Sequence, residues 1–85
     1  MRYALEWIPP AEDELIVLWT TAPDQALITE VVSHLEKLLS LDPYRVGESR
    51  QSSVSRVVLS SPVGLSFDII EDDKRVLILS IWPIP

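Results

Sequence analysis

The chain is short, acidic and without cysteine. Its 85 residues are 47% hydrophobic and 24% charged, and the formal net charge is −6. This composition is typical of a single globular domain, predicted to span residues 1–85, with a core so small that nearly every apolar residue must contribute. The negative charge argues against tight, unassisted nucleic-acid binding. The lack of cysteine excludes disulfide frameworks, zinc–thiolate sites and thiol catalysis.

No segment of the sequence has the features of a targeting signal or a membrane span. The N-terminal region lacks an apolar run of signal-peptide length, and no stretch approaches the roughly 20 apolar residues that cross a bilayer. We therefore expect a cytoplasmic protein without a membrane partner, and we expect it to need no cofactor.

The first half of the chain predicts one strand followed by two helices. Residues 3–7 alternate as a short strand, and Pro9 and Pro10 then suit the first turn of a helix over about residues 10–20. The acidic residues 12–14 place negative charge at the positive end of that helix. Its predicted apolar stripe consists of Ala11, Leu15, Leu18 and Trp19.

A second helix is predicted to run to about Leu41. Thr21 and Asp24 fit a capping box at its start, and the pair Asp42-Pro43 ends it. Its predicted buried face comprises Leu27, Ile28, Val31, Val32, Leu35, Leu38 and Leu39. The two helices should form a hairpin whose apolar stripes need a sheet to cover.

The second half predicts a three-stranded meander. The strands are residues 54–59, 65–70 and 76–82, and they follow a polar loop at residues 45–53. In the middle strand Leu65, Phe67 and Ile69 alternate with Ser66 and Asp68, which indicates one covered and one wet face.

The last strand is apolar on both parities and should lie inside the sheet. Val76, Ile78 and Trp82 are predicted on one side, and Leu77, Leu79 and Ile81 on the other. The first strand of the meander carries Arg56 and should lie towards an edge. The fold class is therefore α+β in the order β-α-α-β-β-β, a helical hairpin on one face of a small antiparallel sheet.

The order of these motifs resembles the RelE/ParE superfamily of toxins from bacterial type II toxin–antitoxin pairs. The motifs are Ala-Glu-Asp-Glu-Leu at residues 11–15, an apolar second helix, Asp42-Pro43, Gly47, a basic residue entering a strand, Pro-Val-x-Leu-x-Phe-x-Ile at residues 62–69, an acidic turn and Arg75-Val-Leu-Ile-Leu-Ser-Ile-Trp82. The resemblance covers almost the whole chain, and it depends on the order and spacing of the motifs.

The resemblance implies that the first strand lies beside the last and that a cognate antitoxin keeps the chain inactive. It also implies one of two targets. RelE-type toxins cut messenger RNA on the ribosome with basic residues on the open face of the sheet, often with a C-terminal Tyr or His, and ParE-type toxins poison DNA gyrase. Arg50 and Arg56 lie where such toxins carry basic residues, so the resemblance makes them candidate phosphate contacts.

The sequence also departs from this family. Gly64 stands where many relatives have an arginine, and Trp82 is followed only by Pro-Ile-Pro85. Cleavage of RNA needs a group that removes the 2′-hydroxyl proton and a group that protonates the leaving oxygen. The sequence provides no clear candidate for either, so whether the chain is a messenger RNA endoribonuclease stays open.

Each candidate residue has a structural alternative. Arg50 and Arg56 could pair with Glu48 and Asp68, and an exposed Arg56 would contribute little to folding. Asp68 could act as a base or contact a partner, or keep the wet face soluble. Trp82 could anchor a partner or belong to the core rim.

Two weaker candidates are better explained by structure. His34, in the middle of a helix, is expected to be a solvated side chain. The acids at residues 12–14 fit the helix dipole better than a metal site, so we expect no metal.

Two functions of different classes remain. The first is the toxin of a toxin–antitoxin or plasmid-stabilisation pair, acting on the ribosome and its messenger RNA or on DNA gyrase. The second is a catalytically inert interaction module with the same fold. Both require a protein partner, and a homodimer is a further alternative.

Overall fold

The computed structural model describes residues 2–49 and 55–85. In chain order the elements are β1 (Ala4–Trp7), α1 (Pro9–Thr21), α2 (Gln25–Leu41), a 3-10 turn (Pro43–Arg45), β2 (Glu48–Ser49), β3 (Ser55–Ser60), β4 (Val63–Ile70) and β5 (Arg75–Pro83). The predicted order β-α-α-β-β-β is confirmed. The two-residue β2 and the 3-10 turn are additions that the polar composition of residues 45–53 did not predict.

The strands form one sheet in the order β1-β5-β4-β3-β2. As predicted, β5 lies inside the sheet, between β1 and β4. The pairs within β2–β5 are antiparallel, but β1 runs parallel to β5, so the sheet is mixed rather than wholly antiparallel. Side-chain alternation predicts which face of an edge strand is covered, but it carries no information on strand direction.

The core lies between the helical hairpin and one face of the sheet. The alternation in β4 is confirmed, because Leu65, Phe67 and Ile69 are fully buried. The other core residues, from both helices, from β4 and β5 and from the segment after the 3-10 turn, are Ala11, Leu18, Ile28, Val32, Leu35, Leu39, Val46, Val63, Val76, Ile78 and Ile81.

A bulge in β5 reverses part of the predicted face assignment. Ser66 pairs with Ser80 and Phe67 with Ile78, so Leu79 is an extra residue in β5. Beyond the bulge, Ile81 therefore shares the covered face with Val76 and Ile78. The prediction that placed Trp82 on that face is wrong for this reason, because strict period-2 counting does not allow for an inserted residue.

The boundary between the helices also differs from its prediction. Thr21 is the last residue of α1, and its hydroxyl donates to the Val17 carbonyl (2.8 Å). Asp24 alone caps α2, where its carboxylate accepts from the Leu27 backbone N–H (3.0 Å). The predicted capping box is wrong because Thr21 belongs to α1 and its hydroxyl bonds within that helix, which leaves Asp24 as the N-cap of α2.

Three apolar helix residues that were predicted to be buried are exposed. They are Trp19 on α1 and Leu27 and Leu38 on α2. They lie at the margins of apolar stripes that are wider than the sheet surface available to cover them. No helix within the described residues is long and apolar enough to cross a membrane.

Candidate functional site

The face of the sheet turned away from the helices is the surface on which the predicted site residues were expected. We define this open face by the outward residues of the three long strands. They are Ser55, Val57 and Leu59 on β3, Gly64, Ser66, Asp68 and Ile70 on β4, and Arg75, Leu77, Ser80 and Trp82 on β5. The open face thus consists mainly of apolar side chains and serine hydroxyls.

Trp82 lies directly over Gly64. The two residues are register partners, and a β-carbon added at Gly64 would overlap the Trp82 indole at Nε1 and Cε2. The ring therefore occupies the space above the backbone of β4 where the resemblance leads one to expect an arginine. An apolar ring replaces a cation at this position.

Asp68 lies on the same face, four residues along β4 from Gly64, a separation of about 13 Å in an extended strand. Its strand partners are Ser55 and Leu77, and one carboxylate oxygen, Oδ1, is buried without a hydrogen-bond partner among the described residues. Between Gly64 and Asp68, the hydroxyls of Ser66 and Ser80 hydrogen-bond to each other at 2.7 Å.

Arg56 does not share the open face. It is the strand partner of the buried Phe67 and therefore points to the helix side of the sheet. Its guanidinium donates from Nε to the Val46 carbonyl (3.1 Å) and from Nη2 to the carbonyls of Tyr44 (3.0 Å) and Gly47 (3.0 Å). These bonds clamp the chain between the 3-10 turn and β2, so the contacts favour a structural role.

The remaining predicted candidates are scattered over the molecule. Arg50 lies outside the described residues. His34 is exposed on α2, and the Glu14 carboxylate accepts from the backbone N–H of Ile81 (3.3 Å). Among residues 2–49 and 55–85 no three acidic or histidine side chains are grouped to hold a metal ion.

A polar cluster at the opposite end of the strands was missed by the sequence analysis. The hydroxyls of Tyr3 (2.7 Å) and Tyr44 (2.9 Å) both donate to Oε1 of Glu71, and Lys74 pairs with the other oxygen of that carboxylate. The Lys74 ammonium also lies 5.3 Å from the centroid of the Tyr3 ring. No local signal could have revealed this cluster, because Tyr3 and Glu71 are 68 positions apart.

Desolvation, with smaller contributions from Tyr44 and Asp42, raises the pKa of Tyr3 above its ordinary value. The phenol is therefore neutral at physiological pH and donates to Glu71. The cluster ties the start of β1 to the 3-10 turn and to the β4–β5 turn.

The open face, as far as it is described, does not present the groups that RNA cleavage needs. Arg75 is its cation within the described residues, and the Arg75 guanidinium is paired with Glu6 at 3.3 Å. Neither strand partner of Asp68 is an acidic or basic residue that could exchange a proton with it. No acid–base pair is therefore formed among the described residues of the open face.

The fold is shared with solved toxin structures. The sequence matches no family model, and no curated protein matches it significantly. The chain is similar to a chain of the toxin–antitoxin complex RelBE2 from Mycobacterium tuberculosis, with a TM-score of 0.80, 21% identity, and coverage of 98% of this chain and 99% of that one.

Two further structures show the same similarity. A chain of the chromosomal ParDE toxin–antitoxin system of P. aeruginosa gives a TM-score of 0.72 at 18% identity, with 98% and 97% of the two chains covered. The isolated E. coli RelE toxin gives a TM-score of 0.72 at 15% identity, with 98% and 85% covered. The RelE/ParE fold implied by the motif order is therefore confirmed.

Proposed function

We propose that this chain is the toxin of a toxin–antitoxin pair, that a cognate antitoxin neutralises it, and that it acts by binding its target rather than by cleaving RNA. The observation that carries the proposal is the fold, which matches a chain of the RelBE2 complex over 98% of this sequence. The ParDE structure, also solved from a toxin–antitoxin system, supports an antitoxin as the partner.

The open face supports contact as the mode of action. Trp82 covers Gly64, the Ser66–Ser80 pair follows along the strands, and Asp68 lies beyond that pair. Large aromatic side chains with apolar neighbours are typical of protein interfaces. A protein target such as DNA gyrase fits this surface better than messenger RNA, whose phosphates would meet Asp68 and a cation already paired with Glu6.

The test is bacterial growth after induced expression of this chain alone, and then together with the small reading frame beside its gene. We expect growth to stop with the chain alone and to resume when the neighbour is co-expressed. Supercoiling by purified bacterial DNA gyrase should then fall with added chain, while messenger RNA stays intact. Rapid cleavage of ribosome-bound messenger RNA would instead support an endoribonuclease and overturn the binding mode.

The second candidate is the inert interaction module, and the missing acid–base pair on the described open face favours it. Both candidates bind a partner, so toxicity distinguishes them. Unimpeded growth with soluble, folded chain in the cell would favour the inert module and overturn the toxin proposal.

A further inference from the structure

A pocket lies at the end of the molecule where α1 turns into α2. Three segments enclose it, namely the α1–α2 turn with the start of α2, the β3–β4 turn, and the end of β5 with the residue that follows. Its lining includes Leu18, Pro23, Asp24, Leu27, Pro62 and Ile84. The pocket encloses about 320 Å³, which is within the range of small-ligand sites in proteins. We refer to it as the tip pocket.

The walls of the tip pocket are apolar and well supported. Leu18 and Ile28 belong to the core. The backbone N–H of Ile84 donates to the Pro62 carbonyl (2.9 Å), and this bond ties the chain after β5 to the β3–β4 turn. Leu27 is 40% exposed, so the pocket opens to solvent beside it. An apolar cavity of this kind needs only a few polar groups to orient a ligand.

Asp24 supplies a charged group at the opening of the tip pocket. The side chain is exposed, and its Oδ1 accepts from the Leu27 backbone N–H (3.0 Å). Within the described residues, no ion pair engages this carboxylate. Its full negative charge is larger than the partial positive charge, roughly half a unit, of the helix N-terminus that it caps. The opening is therefore negatively charged.

No lysine or arginine stands close in sequence to the lining of the tip pocket. The segments that form the lining belong to three stretches without either residue, at positions 3–36, 57–73 and 76–85. Thr21 and Ala22, which also line the pocket, are the last residue and the C-cap of α1. The C-terminus of a helix favours a cation, but α1 has no basic residue in its last turn. The place for a cation is thus left to a ligand.

We propose that the tip pocket binds small amphipathic cations, which are molecules with an apolar body and a protonated amine. The body displaces water from Leu18, Leu27 and Ile84. The ammonium group lies between the Asp24 carboxylate and the carbonyls at the end of α1 and donates to them. An anion of the same shape would meet these oxygens as a repulsive group. The inference goes beyond the proposed function and does not depend on whether the chain is a toxin.

The probes are three molecules with the same indole ring, namely tryptamine, which is cationic, indole, which is neutral, and indole-3-acetate, which is anionic. We expect tryptamine to shift the backbone NMR signals of Leu27, Ile28 and Ile84 in the full chain, with a dissociation constant of about 1 mM for a ligand of this size. Indole should bind about two- to fivefold more weakly, because an exposed ion pair contributes little. Indole-3-acetate should bind more weakly than indole.

A first matched pair of variants tests the apolar wall. Leu27→Gln should weaken tryptamine binding about threefold or more, because it removes apolar surface from the lining. Leu38→Gln changes a residue of the same helix that is 37% exposed, nearly as much as Leu27, and that lies outside the lining. This control should change the binding less than about 1.5-fold.

A second matched pair tests the charge. Asp24→Asn keeps a side-chain acceptor that caps α2 but removes the negative charge, so the fold should be retained. It should lower the affinity for tryptamine to about that for indole. Glu30→Gln makes the same change in net charge at an exposed residue of α2 outside the lining. It should change tryptamine binding less than about 1.5-fold.

Several outcomes would overturn the inference. They are equal binding of tryptamine and indole-3-acetate, NMR shifts centred on the open face or on the outer side of the hairpin, and equal effects within the Asp24→Asn and Glu30→Gln pair. The absence of any shift at about 10 mM tryptamine, roughly ten times the expected dissociation constant, would do the same. If Leu27→Gln does not fold, the second pair and the three indole ligands still decide the question.

Discussion

At the residue scale, Arg56 shows how a charged side chain can act as a structural element. Its three bonds to the carbonyls of Tyr44, Val46 and Gly47 satisfy backbone groups in a segment with little regular structure. A half-buried guanidinium with this geometry differs from the exposed arginine that the sequence analysis assumed, whose contribution to folding would be small. Removal of the side chain leaves these carbonyls without their donors.

Arg56→Ala is therefore expected to destabilise the fold. We expect a loss of about 1–3 kcal/mol in the free energy of unfolding, measured by urea denaturation. The control is Arg45→Ala, because Arg45 pairs with Asp42 at 3.2 Å while its side chain is 87% exposed. That variant should lose less than about 1 kcal/mol. Equal losses in the two variants would contradict a structural role for the hydrogen bonds of Arg56.

Tyr3, also at the residue scale, makes the stability of the fold depend on pH. Because the pKa of Tyr3 is raised in the folded state, that state binds the phenolic proton more tightly than the unfolded chain does. This contribution to stability is complete below the unfolded pKa of about 10 and is lost as pH rises through the folded pKa.

Tyr3→Phe should therefore flatten the loss of stability between about pH 9 and pH 11. The measurement is the urea midpoint across that range for the parent and the variant, because subtraction removes the titration of the lysines. Tyr44→Phe removes the second hydroxyl on Glu71 and one of the smaller contributions to the raised pKa of Tyr3, so it should flatten the slope less than Tyr3→Phe does. If the parent and Tyr3→Phe lose stability equally steeply as the pH rises, the loss does not come from Tyr3.

At the element scale, the bulge in β5 decides what the open face presents. The extra residue Leu79 sends Ile81 into the core and Trp82 over Gly64. The pairing of β4 with β5 thus brings the Trp82 indole into close contact with the backbone of Gly64, which has no side chain. A sheet without the bulge would turn Trp82 towards the helices.

Gly64→Ala tests this contact. The added methyl overlaps the indole, so the ring must move, and we expect a loss of about 1–3 kcal/mol in the free energy of unfolding. In a Trp82→Ala background the same substitution should cost less than half as much, because the overlap is gone. Additive losses in this double-mutant cycle would show that the two residues do not interact.

Helix α2 offers a second test at this scale. Asp24→Ala removes the acceptor for the Leu27 N–H and should cost about 1 kcal/mol. Thr21→Ala removes only the hydroxyl's contacts with the Val17 and Leu18 carbonyls in the last turn of α1 and should cost less than about half of that. The reverse ranking in thermal unfolding would restore the capping box that the sequence predicted.

At the scale of the whole molecule, the charge is distributed unevenly between the two layers. The helical layer is strongly acidic, while the rest of the chain carries nearly equal numbers of acidic and basic residues. Affinity for RNA comes mostly from neutralised phosphates. The acidic helical layer therefore argues against tight, unassisted binding of RNA to that side of the molecule.

We accordingly expect no cleavage of single-stranded or ribosome-bound RNA by the purified chain at about 150 mM salt. Gel analysis of labelled RNA checks this, with Asp68→Asn as the variant that removes the carboxylate of the open face. Cleavage by the parent that Asp68→Asn abolishes would identify Asp68 as a base and overturn the contact mechanism.

The sequence by itself determined the order of the elements and the covered face of β4. Both follow from local periodicity, since residues such as Leu65, Phe67 and Ile69 alternate with a period that only a half-covered strand satisfies. The order of the motifs, rather than any single motif, was enough to indicate the RelE/ParE fold.

The tertiary structure alone decided which residues form surfaces and sites. The bulge at Leu79, the parallel direction of β1, the carbonyls around Arg56 and the meeting of Tyr3 with Glu71 all depend on contacts between distant segments. Such contacts arise from strand register and from the packing of the hairpin on the sheet. Neither is encoded in the periodicity of one segment, because each requires two segments to be placed relative to each other.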